Sequence, residues 1–424
     1  MTHSKIQNQE DAKLSIVIYA FFLAAMIIDI GGAFGLKYAS FAILVIYLAA
    51  ISFTKGIRIP SSFFVLEGTL FVIAPIFFLM LAISEFSVAP TAAVREVLPF
   101  AIWLLFPLLL QMGQKEKITS IFTTALFLGA IFIIIFFIII FGLHLAGQDN
   151  LITSIYMFTS KYELGYFGIK PFNGSSSMFF PNVYPRWTLL LIPAAILLLH
   201  ENMKRFIIVV LATLLTTSTA AILFLLIGII WASFAGIWKR RLSRLYFKKF
   251  AALCLLLLLC SSIIYLSGFE YIIEFIASKL GESTSTSIKI GHITSILALV
   301  SKKMTILFFG MGLGSSFWSA GLNEVVTNVE VSHFNLLRQF GLPYALAFSS
   351  YIFFLFIKLY KIGDEIGRLL SIGLIVLFIA AGTNPVLISP IFFLIVVISR
   401  AYITLAAREK NEYIKSNSIS QAGV

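Results

Sequence analysis

Glu330, His333, Asn335 and Arg338 fall within nine residues of the stretch EVSHFNLLRQFGLP (330–343), directly ahead of the apolar run YALAFSSYIFFLFIKLY. Ser332 is placed to N-cap a short helix, HFNLLRQF, that stops at Gly341, with Pro343 opening the next helix. Gly just past a helix end and Pro just inside a start are the expected punctuation. His333 then sits in a first helical turn, where the positive end of the helix dipole favours the neutral, basic imidazole. Glu330, three residues upstream, is placed to orient that ring or hold its proton, so the group reads as a general base. Arg338 lies near the opposite end of the short helix and shares no tight face with His333. The competing reading is an interfacial helix start whose polar groups satisfy caps and lipid headgroups. One His with one carboxylate does not decide between them. No second His or Cys stands at metal-ligand spacing, so no metal site is expected.

The elements that must position these residues are membrane helices. The chain has 424 residues, 60% of them hydrophobic and 12% charged, and 43 are Phe. Mean hydropathy is +1.00. Apolar runs of near-spanning length recur throughout, which predicts an all-α, polytopic membrane protein of a single domain, 1–424. About twelve spans are expected, near 14–32, 38–54, 63–83, 97–112, 118–146, 187–200, 206–217, 219–237, 250–268, 343–360, 369–382 and 387–404. The first is read as a retained helix rather than a cleaved leader, since no small-residue cleavage site follows it. Cys254 and Cys260 lie inside an apolar run and read as packing residues. Lys and Arg concentrate in alternate loops, including KRRLSRLYFKK and REKNEYIK, which puts that side and both termini in the cytoplasm. The net charge of +12 is mostly this anchoring, and no nucleic-acid partner is inferred from it. No internal repeat of the kind many transporters carry is visible.

Two long loops face the other compartment, at about 147–186 and 269–341. Loops of that length in a compact membrane protein usually carry function. The second begins with two short helices joined by GESTSTS and continues into ILFFGMGLGSSFWSAG. Its alternating glycines are either a turn between packed helices or a backbone that passes close to a ligand, which would put Gly312 and Gly314 in a substrate site. Outer-side cations available to hold an anion are Arg95, Lys170, Arg186, Lys289, Lys302, Lys303 and Arg338, although each is also able to snorkel to headgroups. Asp29, at the end of the first span, is an intramembrane acid or the cap of the Gly-rich turn after it.

FGMGLGSSF followed by EVSHFNLLRQFGLPYALAF resembles the signature of the O-antigen polymerase and ligase superfamily of bacterial envelope glycosyltransferases, with His333, Asn335 and Gly341 in matching places. In the first loop, Gly174, Pro181 and Asn182 match a further pattern of these proteins. Lys289 and His292 stand where relatives often carry an Arg with an aromatic three residues on. TTSTAA (216–221) stands where ligases place a Ser-Arg pair, which turns the reading toward the polymerase. The resemblance implies a GT-C-like enzyme of the bacterial inner membrane with a periplasmic active site. Its donor would be an oligosaccharide on undecaprenyl pyrophosphate, and its acceptor the hydroxyl of another lipid-linked repeat unit. It needs no cofactor or metal, contacts membrane lipid and has a chain-length regulator as a further partner. His333 would be the base, with Glu330 or Asn335 orienting it. Arg186, Arg338 and Arg95, supported by Lys289 and Lys170, would hold the pyrophosphate. The alternatives are a ligase acting on lipid A-core and a flippase for lipid-linked oligosaccharides.

Overall fold

The computed structural model describes residues 2–54, 56, 59–171, 179–237 and 284–422. The expected span at 250–268, both cysteines, Gly174 and the first short helix of the second loop lie outside these residues. The chain opens with α1 (Thr2–Ile28) and α2 (Leu36–Thr54). Asp29 joins them as a cap: its carboxylate accepts from the backbone N–H of Phe34 at 3.0 Å and of Leu36 at 2.8 Å. α3 (Ser61–Gly68) runs through a π-turn (Thr69–Ile73) into α4 (Ala74–Phe86). α5 (Pro90–Val97), a 3-10 segment (Leu98–Leu104) and α6 (Leu105–Met112) form the next helical stretch, and α7 (Lys115–Leu145) follows it.

The first outer loop folds into α8 (Asp149–Lys161) and an antiparallel hairpin of β1 (Gly165–Pro171) and β2 (Phe179–Pro185). α9 (Leu191–Glu201), α10 (Met203–Leu215) and α11 (Thr219–Ile237) follow. Beyond residue 283 come α12 (Thr284–Lys302), α13 (Met304–Phe309), a second hairpin of β3 (Phe317–Ser319) and β4 (Glu324–Val326), α14 (Ser332–Ile362), α15 (Glu365–Ala380) and α16 (Pro390–Ala422). The all-α expectation is thus corrected by two small hairpins, both in the long loops.

Seven of the described helical stretches are long and apolar enough to cross a membrane, and α9 and α11 are shorter apolar helices. α9 is apolar all round and every residue from Leu191 to Leu199 is buried, as expected of a helix at the centre of a bundle. α15 packs against it, with Gly373 allowing close approach: a Cβ there would stand 2.9 Å from the Pro193 ring. Aromatic contacts tie α4 to α14, with Phe78 edge-on to Phe340 at 4.9 Å and Phe340 stacked on Tyr344 at 4.4 Å. The Tyr344 hydroxyl reaches the Leu70 carbonyl of the π-turn at 2.9 Å.

The break expected at Gly341 is present. Its φ of 77° and ψ of 169° interrupt α14 and separate a short helix, 332–340, from the long one. A break leaves the last carbonyls of the short helix without intrahelical donors. The glycine-rich strand supplies them: the N–H groups of Met311 and Gly312 donate to the carbonyls of Arg338 and Gln339 at 2.7 and 2.9 Å. The two backbones touch, so a Cβ on Gly310 or Gly341 would fall within 2.4 Å of opposing carbonyl oxygens. Ser332 does not cap the helix as expected. Val331 holds that position, and the Ser332 hydroxyl instead donates to the Asn384 carbonyl at 2.5 Å.

Candidate functional site

At one end of the bundle the connections converge around a cavity of about 1640 Å³. Its wall takes residues from the α1–α2 turn, α5 and the 3-10 segment, the first hairpin, the α10–α11 turn, α12, the start of α14 and the α15–α16 loop. Six cations line it, Lys37, Arg95, Lys161, Lys170, Arg186 and Lys289, against three carboxylates, Glu96, Glu163 and Glu330. The surplus of positive charge suits a multiply charged anion. Its apolar lining includes Phe41 and Val45 of α2, Leu98 and Leu104 of the 3-10 segment, and Leu223 and Phe224 of α11.

The structure brings Arg95, Lys170, Arg186, Lys289, Glu330 and Asn335 to this wall. Arg186 pairs with Glu163 at 2.8 Å and Lys289 with Glu330 at 3.2 Å. Lys170 lies over the Tyr166 ring at 4.4 Å. Lys302 and Lys303 are exposed and stand away from the wall.

His333 is not brought to the cavity. Ser332, Asn335 and Gln339 form the stripe of the short helix that lines it, at the i, i+3, i+7 spacing of a single face. His333 projects elsewhere, edge-on to Phe378 at 4.8 Å and close to Gly382, and no described side chain hydrogen-bonds its ring. Glu330 and His333 therefore do not form the pair expected from their spacing.

Arg338 is also withheld from the cavity. It is fully buried, and each of its five N–H donors is taken. Nη1 donates to the Ser315 carbonyl and hydroxyl at 2.7 and 2.9 Å. Nη2 reaches the Thr327 carbonyl at 2.6 Å and Asn335 Oδ1 at 2.8 Å, and Nε reaches Asn335 Oδ1 at 3.1 Å. The Phe317 ring lies 4.8 Å from the guanidinium carbon. A guanidinium with all donors engaged has none left for a pyrophosphate, so Arg338 holds the loop around the second hairpin onto the short helix. Gly312 and Gly314 likewise serve packing. A Cβ on Gly312 would meet Ala82 and the Phe78 carbonyl at 2.6 Å, and Gly314 lies against Ala92 and Ala93.

His292, the departure noted in the sequence, is buried and hydrogen-bonded through Nδ1 to Ser319 Oγ at 2.6 Å. Ser319 Oγ also accepts from the Gly321 N–H at 3.2 Å. Burial pushes the His292 imidazole below its ordinary value, only partly countered by the Glu330 charge. This neutral pair pins α12 to the second hairpin.

Several wall residues escaped sequence reading. Lys37, Lys161 and Glu163 sit at helix ends where lysines and glutamates are common. Glu96 is a single carboxylate beside Arg95 at the mouth of an apolar run. Glu163 and Thr217 are in the left-handed region, with φ of 56° and 52°. That is costly for a β-branched residue, and strain of this kind gathers at functional sites. Gln339 and Asn182 are amides buried on the wall at 1% and 4% exposure. Among the described residues neither polar atom of Gln339 has a partner, nor does Asn182 Oδ1.

No family model and no curated protein matches the chain by sequence.

Proposed function

We propose that the chain is a glycosyltransferase of the bacterial inner membrane, similar to O-antigen polymerases, that joins oligosaccharide repeat units carried on undecaprenyl pyrophosphate. The observation that carries this reading is the cavity: six cations, buried amides and apolar side chains line one space. A lipid-linked oligosaccharide has those three chemical parts. The cations answer a pyrophosphate, which keeps its charge and leaves with more on the bridging oxygen as the bond breaks. Arg186, Arg95, Lys289 and Lys170 are the groups in place for it, and Lys37 and Lys161 join them. The apolar lining suits the first isoprene units, with membrane lipid beyond it. In this reading the basic loops mark the cytoplasmic side by the charge rule, and the cavity, at the side of the two long loops, faces the periplasm. A chain-length regulator would act from that side.

The test uses purified protein and undecaprenyl-pyrophosphate-linked oligosaccharide isolated from cells lacking this gene. The expected result is a ladder of longer lipid-linked glycans, with free undecaprenyl pyrophosphate released in step. Absence of both products, from protein that elutes as a single folded species, would overturn the proposal.

The sugar should be recognised by neutral hydrogen-bonding groups, and Gln339 is the foremost of these. A buried amide left unpaired costs about 1–3 kcal/mol. Gln339→Leu should therefore raise the melting temperature while weakening apparent affinity for the lipid-linked oligosaccharide about 10- to 100-fold, the same energy lost from binding. A more stable variant with parental KM would make Gln339 a packing flaw and remove it from the site.

A further inference from the structure

We propose that Glu96 is the base that takes the proton from the attacking sugar hydroxyl, and that Arg338, Asn335 and Asn328 form a hydrogen-bonded relay that positions it. This rests on the glycosyl-transfer reading above and names the proton acceptor within that site.

The relay is continuous. Asn335 Oδ1 accepts from Arg338 Nη2 and Nε at 2.8 and 3.1 Å. Asn335 Nδ2 donates to Asn328 Oδ1 at 3.3 Å, and Asn328 Nδ2 donates to Glu96 Oε1 at 3.1 Å. The orientations of the two amides are not independent. Arg338 has only donors, so it fixes the Asn335 oxygen toward itself and the Asn335 nitrogen away. The same rule then turns Asn328 so that its nitrogen faces the carboxylate. Both amide dipoles point one way and carry the buried Arg338 charge to Glu96 in steps.

The other two carboxylates on the wall are each tied to a cation of the cavity, Glu330 to Lys289 and Glu163 to Arg186. A carboxylate clamped by a cation has its proton affinity lowered and is a poor base. Glu96 is in no ion pair among the described residues: a neutral amide holds one oxygen, the Arg95 and Arg338 charges act on it without direct contact, and Oε2 accepts no hydrogen bond from a described residue while the side chain lines the cavity. In the transfer, Oε2 takes the hydroxyl proton as the acceptor oxygen bonds to the anomeric carbon. The bond from that carbon to the pyrophosphate oxygen breaks, and its electron pair leaves with the pyrophosphate. Glu96 passes the proton to water before the next transfer.

The experiment uses the full chain, purified, with the lipid-linked oligosaccharide described above, across a range of pH. Glu96→Gln keeps an oxygen for Asn328 and should preserve the fold. Turnover should fall about 10²–10⁴-fold, the usual effect of losing a general base. KM and the binding of undecaprenyl pyrophosphate alone should stay near parental values. Asn328→Ala, at an exposed position, removes the donor to the charged form. That raises the proton affinity of the carboxylate, so the acid limb of its pH–rate profile should move to higher pH. Parental turnover in Glu96→Gln, with the parent protein active, would overturn the assignment while sparing the reaction. An unmoved acid limb in Asn328→Ala would reduce the relay to a structural contact, whether or not Glu96→Gln folds. A parent protein without transfer activity would overturn both.

Discussion

Arg338→Ala is expected to unfold the region around the cavity rather than to give a folded, slow enzyme. The guanidinium bridges three pieces of chain: the Ser315 turn, the Thr327 carbonyl and Asn335 on the short helix. Removing it leaves two carbonyls and an amide oxygen without these donors, the Ser315 carbonyl among them fully buried. Each lost bond to a charged group is worth about 1.5–3 kcal/mol, and breaking a buried charged network typically costs about 3–5 kcal/mol. Arg338→Lys should fare little better, because an ammonium has three donors on a flexible stem where five are fixed in a plane. A guanidinium that clamps pyrophosphate from the cavity wall would behave otherwise: Lys would retain part of the turnover, and stability would hardly change. Thermal unfolding of the purified variants separates the two. A melting temperature within a degree or two of the parent for Arg338→Ala would sink the structural role given to this residue.

How far the sequence reached depended on the range of the pattern being read. Helices announced themselves through apolar runs, and the break in α14 through Gly341 and Pro343, because both signals are local. The first hairpin did not. FFPNVYP carries two prolines, which argue against a central strand, but both strands of a two-stranded ribbon are edges and tolerate them. In the candidate site, Arg186, Arg95, Lys289, Lys170, Glu330 and Asn335, far apart in the sequence, do meet at one cavity. His333 and Arg338 were grouped with them because they are close in sequence. On a helix, though, one residue of offset is a 100° turn, and that turn carries His333 away from the face shared by Ser332, Asn335 and Gln339. The glycines admitted two readings, and the structure uses them as a strap that caps the short helix. Glu96 carried no local signal at all. What distinguishes it comes from Asn328, 232 residues along the chain, and only the packing of α5 against the second outer loop brings them together.

A second buried charge cluster, absent from the cavity, should respond to substitution in a way that single variants alone would misrepresent. Glu67 of α3 is 1% exposed and pairs with Arg400 of α16. Tyr351 of α14 donates to the same carboxylate oxygen at 3.0 Å, and Arg400 also reaches Thr404 at 3.1 Å. The cluster fastens α3, α14 and α16 together, and the last two begin at the cavity wall. Glu67→Leu alone leaves a buried guanidinium facing an apolar group, and Arg400→Met alone leaves a buried carboxylate. Each should destabilise by about 3–5 kcal/mol. The double variant, with two apolar side chains of similar bulk, should regain most of that loss, since replacing both partners of a buried pair is often neutral or stabilising. The measurement is a double-mutant cycle on unfolding of the purified protein in lipid nanodiscs, which isolates the coupling between the two sites. Additive losses would mean that each residue is held by its other contacts and that the pair itself contributes nothing. Strong coupling would instead make this pair the clasp on the helices that carry the site, so both single variants should lose transfer activity together with stability and the double variant should recover both.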